Sequence, residues 1–388
     1  MSTQRSLLPL ATAMFAVGTD GFIIAGLLPQ IATDLEVGLA AAGQLVTAFA
    51  LAFAVSAPIL GALTSAMTRR AALLLALAVF IAGNAATALG PDYTTVLLAR
   101  IATAAGAGLI GAAAFSAAAA IAPPDRRGRA LATVMGGLTL AIAFGLPAGT
   151  LIGGADWRLT LWAVAGLGVL AAIGVAVSLP PITLPADPLR ARLAPLRELN
   201  VLAMLTVTTL TLAGTHVLYT YIAPALTGAT GGSAPALTVV LLAWGVGNMI
   251  GNTVAGRLAD RHPPRAVVTA GLAIAAVLLA LSPLVVGNLI AAVVWAVLWG
   301  ISVSLPVVPQ QSRFVEHAPS ASAILLGLNN SAIYLGVALG GALGGLLQDQ
   351  LTPARLGLLA AAVSVLGLLV NLATSRRKQL HASRPTVR

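Results

Sequence analysis

Apolar residues in this chain fall in long blocks separated by short polar junctions. The blocks run at roughly 7–31, 39–64, 71–89, 94–121, 130–153, 158–179, 199–223, 236–259, 266–286, 289–311, 323–347 and 353–374. Around 20 apolar residues suffice for a helix to cross a hydrocarbon core, and each block approaches or exceeds that length. Gly90-Pro91, Pro123-Pro124, Pro180-Pro181, Gly231-Gly232 and Pro263-Pro264 punctuate the pattern as breakers. The pattern predicts an all-α integral membrane protein with twelve transmembrane helices. The first block follows Arg5 and continues to about Ile31, too long for the apolar region of about 7–15 residues in a secretory signal, so it is read as an uncleaved span.

The longest polar stretch, 180–198, is proline-rich and carries Asp187, Arg190, Arg192, Arg197 and Glu198. It separates six blocks from six. The expected organisation is therefore a six-helix bundle over 1–179, a linker over 180–198, a second six-helix bundle over 199–374 and a basic tail over 375–388. The halves look related. A shift of 195 residues lays Pro29 on Pro224, Gly61 on Gly256, Arg70 on Arg265, Gly145 on Gly340 and Gly149 on Gly344. Two parallel repeats of this kind place a cavity at their interface, near the bilayer midplane.

Charge adds an orientation. Of the 21 Lys and Arg, 18 lie at the two ends of the chain or at the junctions after even-numbered blocks. Odd-numbered junctions hold only Arg158 and Arg355, and Arg100 lies inside a block. Cationic loops stay cytoplasmic, so both termini, the linker and the tail are expected on that side of the cell membrane. Charged residues make up 8% of the chain, against about 25% in a soluble globular protein. The spans leave no room for a soluble domain. That speaks against a signalling receptor. The net charge of +10 is spread over junctions, and aromatics are 4%, so a nucleic-acid partner is not expected. The tail, Arg376 to Arg388, is expected to touch anionic headgroups. No cysteine is present, which excludes disulfides and thiolate metal sites.

Two charges lie well inside blocks, Asp20 and Arg100. Asp20 is 13 residues past Leu7 and 11 before Ile31, close to mid-membrane. A charge there costs about 2.5–3.5 kcal/mol even on a mild insertion scale. Desolvation favours the neutral acid and a nearby Arg100 favours the carboxylate; a carboxyl under these opposing pulls can bind and release a proton. The alternative is a structural ion pair that locks two helices. Arg100 cannot lose its proton and can only change partners.

The seventh block is the most polar. Thr208, Thr211, Thr215 and Tyr219 are spaced 3, 4 and 4, so they share a helical face that His216 and Thr220 widen. That face is expected to line water, although threonines also bond back to their own helix. The 195-residue shift lays Asp20 on Thr215, next to His216. His216 has no second His or acid placed to make a metal site. Further cavity candidates are Gln44 and Thr47, then Trp244, Asn248 and Asn252, and Asn329, Asn330 and Tyr334; interhelical hydrogen bonding is the alternative for the amides. Asp20, Arg100 and His216 form no recognisable catalytic set, so an enzyme is not expected. Gly106 and Gly111, Gly145, Gly149 and Gly153, and Gly336, Gly340 and Gly344 recur at helical spacings. Such faces let helices approach closely, for tight packing or for sliding.

Several segments resemble a known family. Gly256-Arg257-Leu258-Ala259-Asp260-Arg261, followed by Pro264-Arg265, resembles the cytoplasmic loop signature of the major facilitator superfamily. Its first-half copy is degenerate: Gly61-Ala62-Leu63-Thr64-Ser65, then Arg69-Arg70. Ser65 stands where the family has its acid; a serine can cap a helix N-terminus but cannot form an ion pair. Gly18-Thr19-Asp20-Gly21-Phe22 through Pro29 is similar to the first span of the twelve-span drug:proton antiporters of that superfamily, whose acid often lies one position later. Leu97-Leu98-Ala99-Arg100, with Gly106, resembles their fourth-span motif, in which the arginine is linked with proton transfer. Gly145-Leu146-Pro147-Ala148-Gly149, with Gly153, resembles the fifth-span motif of exporters, and Asp156-Trp157-Arg158 the start of their sixth span.

The resemblance implies the major facilitator fold and a monomeric secondary transporter. It would export a small drug-like compound in exchange for protons, with the proton gradient as energy source and no cofactor. Asp20 and Arg100 would couple protons. Gly61, Arg69, Arg70, Gly256, Asp260, Arg261 and Arg265 would form the cytoplasmic gate. The alternative is export of a specific metabolite such as a sugar, purine or amino-acid derivative.

Overall fold

The computed structural model describes residues 3–123, 126–183, 189–348 and 350–382. Pro124, Asp187, Arg384 and Arg388 of the readings above lie outside the described residues. Among those described, the chain is helical and contains no strand. The twelve blocks become α1 Thr3–Asp34, α2 Leu39–Leu63, α3 Arg69–Leu89, α4 Tyr93–Ile121, α5 Arg127–Gly153 and α6 Trp157–Ser178 in the first half. In the second half they are α7 Leu199–Tyr219, α8 Ala234–Ala259, α9 Pro264–Ala280, α10 Leu289–His317, α11 Ser322–Leu347 and α12 Leu356–Ala382.

Eleven of these helices are long and apolar enough to cross a membrane; α9, with 17 residues, is shorter. The sequence pattern runs its block on to 286, but the helix ends at Ala280 and resumes only as Ser282–Val285. Pro283 explains the break, since it has no N–H to continue the ladder. Pro306 interrupts α10 in the same way, between Ser304 and Val307.

Helix starts follow local side-chain chemistry. Asp92 accepts from the Thr95 N–H at 2.9 Å, Asp156 from that of Arg158 at 2.9 Å and Asn288 from that of Ala291 at 3.0 Å. Each satisfies a donor that the helix cannot. The backbone N–H and then the hydroxyl of Thr95 hold the Asp92 carboxyl below the usual carboxylate range.

The helix pairings repeat after six. In the first half α1 packs on α5 and α6, α2 on α4, and α3 on α4 and α6. In the second half α7 packs on α11 and α12, α8 on α10, and α9 on α10 and α12. The glycine faces obey the same relation. Gly145, Gly149 and Gly153 of α5 lie against Thr19, Ile23 and Leu27 of α1. Gly336 and Gly340 of α11 lie against Leu212 and His216 of α7, and a Cβ on Gly340 would stand 2.8 Å from that of His216. These faces are packed too closely for any side chain.

The halves meet along α2 and α11, and along α5 and α8. The α5 contact is uneven. Its Leu146–Gly153 part and the π-helical turn Ala141–Gly145 reach α8, whereas Arg127–Leu140 packs on α1 and α4. Pro147 causes the π turn: it cannot donate to Ala143, and the Leu146 N–H bonds to Ala141, five residues back. The halves are thus clamped at the end of the molecule opposite the arginine-rich junctions.

Gly245 of α8 sits at the bulge. A Cβ there would stand 2.7 Å from Cα of Ala143 and 2.8 Å from the carbonyl oxygen of Ile142. Both are backbone atoms and cannot swing aside. Gly245→Val is therefore expected to cost about 1–3 kcal/mol through overpacking. It should also move α8 from α5. Spin labels on Ala155→Cys and Ser233→Cys, in a chain otherwise free of cysteine, would read the separation. An unchanged distance and melting midpoint would contradict the packing described.

Candidate functional site

α1 and α4 bring together the two charges from inside the spans. Asp20 and Arg100 are both completely buried. Arg100 Nη1 donates to Asp20 Oδ1 at 2.5 Å, and Nη2 donates to the Asp20 backbone carbonyl at 3.2 Å. The guanidinium lies 4.2 Å above the Phe49 ring of α2, a cation–π contact that adds to the ion pair. Asn84 of α3 stands beside the same carboxylate. Two polar atoms of the pair, Asp20 Oδ2 and Arg100 Nε, have no hydrogen-bond partner among the described residues. The carboxylate thus keeps one oxygen unengaged while the other holds the arginine.

The second half reaches this pair through aromatic rings. Tyr334 of α11 stacks on Phe53 of α2 with centroids 3.6 Å apart and planes at 16°. Its hydroxyl lies 3.9 Å from where a Cβ on Gly21, the residue after Asp20, would stand. Phe22, half a turn beyond Asp20, contacts His216 at 6.1 Å and meets Tyr219 edge-on at 5.9 Å. Tyr219 in turn contacts Trp244 at 4.7 Å and Trp299 at 6.4 Å, and Trp299 stacks on Trp295 at 4.8 Å. A continuous aromatic cluster therefore runs from α1 through α7 and α8 to α10.

Other candidates go to different places. Thr211 and Thr215 donate to Val207 and Thr211 carbonyls of their own helix, at 2.7 and 3.2 Å. Thr208 donates to Asn329 Oδ1 at 2.8 Å. Thr208, Thr211, Asn329 and Gln310 line a small cavity on the arginine-rich side of α7. Gln44 and Thr47 lie in the α2–α11 contact, against Gly345 and Gly341. Asn248 accepts from Ser304 at 2.5 Å, while Asn252 and Asn330 are half-buried and make no side-chain hydrogen bond among the described residues.

The arginine-rich junctions differ between halves. Ser65 does not cap α3; its hydroxyl donates to the Ala62 carbonyl at 2.6 Å, and Thr68 receives the Ala71 N–H instead. The turn places Thr68, not Ser65, next to the first helical residue. Arg69 Nη2 gathers the carbonyls of Thr64, Ser65 and Met67 at 3.3, 2.8 and 3.2 Å, closing the C-terminal end of α2. Arg192 of the linker lies on Gly61, and Arg70 is half-buried. In the second half Gly256 has open space beside it. Asp260 and Arg261 are exposed, and Asp260 makes no ion pair among the described residues. Arg265 turns to α12, where it meets the Asn371 carbonyl and the Thr374 hydroxyl. Arg313 joins this network through Gln310 and Asn371 at 2.8 and 2.9 Å.

A family model described as Major Facilitator Superfamily matches residues 10–215 and 204–387. The chain belongs to the major facilitator superfamily. It is 35% identical over 381 residues to the inner membrane transport protein YdhP of Escherichia coli strain K12, covering 97% of this chain and 98% of that protein. It is 33% identical over 379 residues to the uncharacterized MFS-type transporter YbcL of Bacillus subtilis, covering 96% of each. It is 39% identical over 269 residues to a chloramphenicol resistance protein of Streptomyces lividans, covering 68% of each. The chain is thus a multi-span membrane transporter, and its two-bundle architecture is that of the superfamily.

Phe22, Phe49, Phe53, Asn84, Trp295 and Trp299 surround the central groups of this superfamily member without having been picked out by spacing. One signal was present in the sequence. In a chain with 17 aromatic residues, each aromatic deep in a polar-bearing span is informative.

Proposed function

We propose that this transporter exports a small drug-like or lipophilic compound in exchange for protons by alternating access. Asp20 carries the proton and Arg100 is its fixed counter-charge. The observation that carries the reading is the Asp20–Arg100 pair itself: fully buried, with one carboxylate oxygen unengaged, and beside an aromatic cluster built by both halves. Nothing in a lipid-embedded fold requires a carboxylate there, and its cost is offset only in part by its partner. Protonation would release Arg100 from Oδ1, leaving it to its carbonyl and ring contacts, and so favour a different arrangement of α1 and α4. Exchange follows when proton and solute favour different arrangements of the two bundles. The bundles clamp at the arginine-poor end, and the cationic junctions support an orientation with that end outside the cell. Both termini are then cytoplasmic and the transporter works as a monomer.

The resistance protein of Streptomyces lividans supports the drug reading and makes chloramphenicol the first compound to test. The threonine face of α7 does not favour a hydrophilic metabolite, because Thr211 and Thr215 commit their hydroxyls to their own helix. In proteoliposomes, an imposed pH gradient is expected to drive labelled chloramphenicol against its concentration gradient, and collapse of the pH gradient should stop it. Equal flux with and without the pH gradient would sink the antiport reading.

A further inference from the structure

The aromatic cluster contains more than apolar surface. His216, Tyr219, Trp244 and Trp299 are each at most 3% exposed. Their polar ring atoms, His216 Nε2, Tyr219 Oη, Trp244 Nε1 and Trp299 Nε1, all lack a hydrogen-bond partner among the described residues. So does Asn248 Nδ2, one turn along α8 from Trp244. A buried polar atom is normally paired, so five unpaired ones around a single set of touching rings are not a packing accident. The rings are in mutual contact: His216 with Tyr219 at 5.3 Å, Tyr219 with Trp244 at 4.7 Å, and Trp244 with Trp299 at 5.7 Å.

The hydrogen-bonding sense of each atom follows from its chemistry. Indole N–H groups and the amide NH2 only donate, and the tyrosine hydroxyl can donate. His216 Nδ1 lies 2.9 Å from the Leu212 carbonyl, which only accepts. Nδ1 therefore carries the hydrogen, and in the neutral ring Nε2 is an acceptor. The set is rich in donors; His216 Nε2 only accepts, and the Tyr219 hydroxyl can also accept. No carboxylate belongs to it. Asp20, the buried acid nearest in the fold, is already bound to Arg100.

We infer that these residues form a solute subsite that prefers neutral aryl compounds bearing acceptor oxygens over lipophilic cations. The inference rests on the export reading above and names its substrate class. Aromatic walls stack on a planar ring, the donors meet carbonyl, amide or nitro oxygens, and Nε2 receives one hydroxyl or N–H of the solute. A cation would gain contact with the ring faces, but it would leave the donors unpaired and find no carboxylate other than the one already paired with Arg100.

The experiment measures binding to purified wild-type protein in detergent by saturable quenching of tryptophan fluorescence. The probes are acetanilide, 4-hydroxyacetanilide, 4-nitroacetanilide and benzanilide as neutral aryl amides, and phenyltrimethylammonium and tetraphenylphosphonium as aryl cations. At least one amide is expected to bind saturably and the cations at least about tenfold more weakly, since a lost or mismatched hydrogen bond in a buried site weighs this much. Tyr219→Phe, which removes only the hydroxyl, and Trp299→Phe, which removes the N–H and keeps a ring, should each weaken the amide about fivefold or more. Cations binding as tightly as the amides, no saturable amide binding, or unchanged affinity in both variants would each overturn the subsite. The proteoliposome flux is a separate readout. If chloramphenicol still moves with the pH gradient while the subsite test fails, the export reading stands and only the substrate class falls.

Discussion

Asp20→Asn is expected to bind solute yet lose accumulation driven by a pH gradient, falling to the level of protein-free liposomes. The replacement is nearly isosteric. An asparagine oxygen can still accept from Arg100 Nη1, as Asp20 Oδ1 does at 2.5 Å, so helices α1 and α4 keep their join. What the amide cannot do is take up and release a proton. Solute counterflow at equal pH on both sides should therefore persist, while uphill movement stops. The variant leaves a buried cation without a counter-charge, a change that costs about 3–5 kcal/mol when nothing else compensates. The retained hydrogen bond, the Asp20 carbonyl and the Phe49 ring all remain to moderate that loss. A modest drop in melting midpoint is expected, without unfolding. Full gradient-driven accumulation by this variant would remove Asp20 from the mechanism.

The second large effect concerns Arg100. Arg100→Ala removes a fully buried guanidinium and leaves both a cavity and a stranded carboxyl. Breaking a buried pair from one side costs about 3–5 kcal/mol. The stranded carboxyl escapes most simply by holding its proton, so exchange should fail because Asp20 no longer releases it. Arg100→Lys should recover part of the stability but little exchange. One ammonium cannot reproduce the two-nitrogen grip on Oδ1 and the backbone carbonyl, nor lie flat on Phe49. The double variant Asp20→Leu with Arg100→Met separates structure from function. Apolar residues often replace a buried pair at no net cost, so its stability should return towards wild type while exchange stays absent. The cycle built from single and double variants, measured by thermal unfolding, gives the coupling between the two groups. If the double variant transported against a gradient, the pair would be structural only.

Particular residues show how far the sequence could be read. Asp20 stood out because a lone acid near the middle of an apolar block carries a known cost, whatever its neighbours. Its pairing with Arg100, 80 positions away, was one of two possibilities until the helices were placed. Thr211 and Thr215 share a face by spacing, and spacing cannot tell a hydroxyl facing water from one bonded to the preceding turn. Ser65 had the right chemistry to cap a helix, but the turn gives that place to Thr68. By spacing, Trp299 had a partner only in Trp295, four residues back. Its importance comes from Tyr219 and Trp244, which reach it from two other helices.

Span number and the repeat of landmarks after 195 residues were determined by the sequence alone. Hydrocarbon demands that each crossing segment satisfy its backbone internally, so length and hydropathy suffice to find the segments. Proline positions went only partly the same way, since helices are interrupted at Pro283 and Pro306 but run on through Pro9, Pro29 and Pro58. Which side chains meet was decided only by the tertiary structure. A helix in lipid can rotate and tilt at little cost from its own sequence, and packing against neighbours sets both. Glycine faces on α5 and α11 brought α1 and α7 close, and those two approaches put Phe22, His216 and Tyr219 in contact beside the Asp20–Arg100 pair.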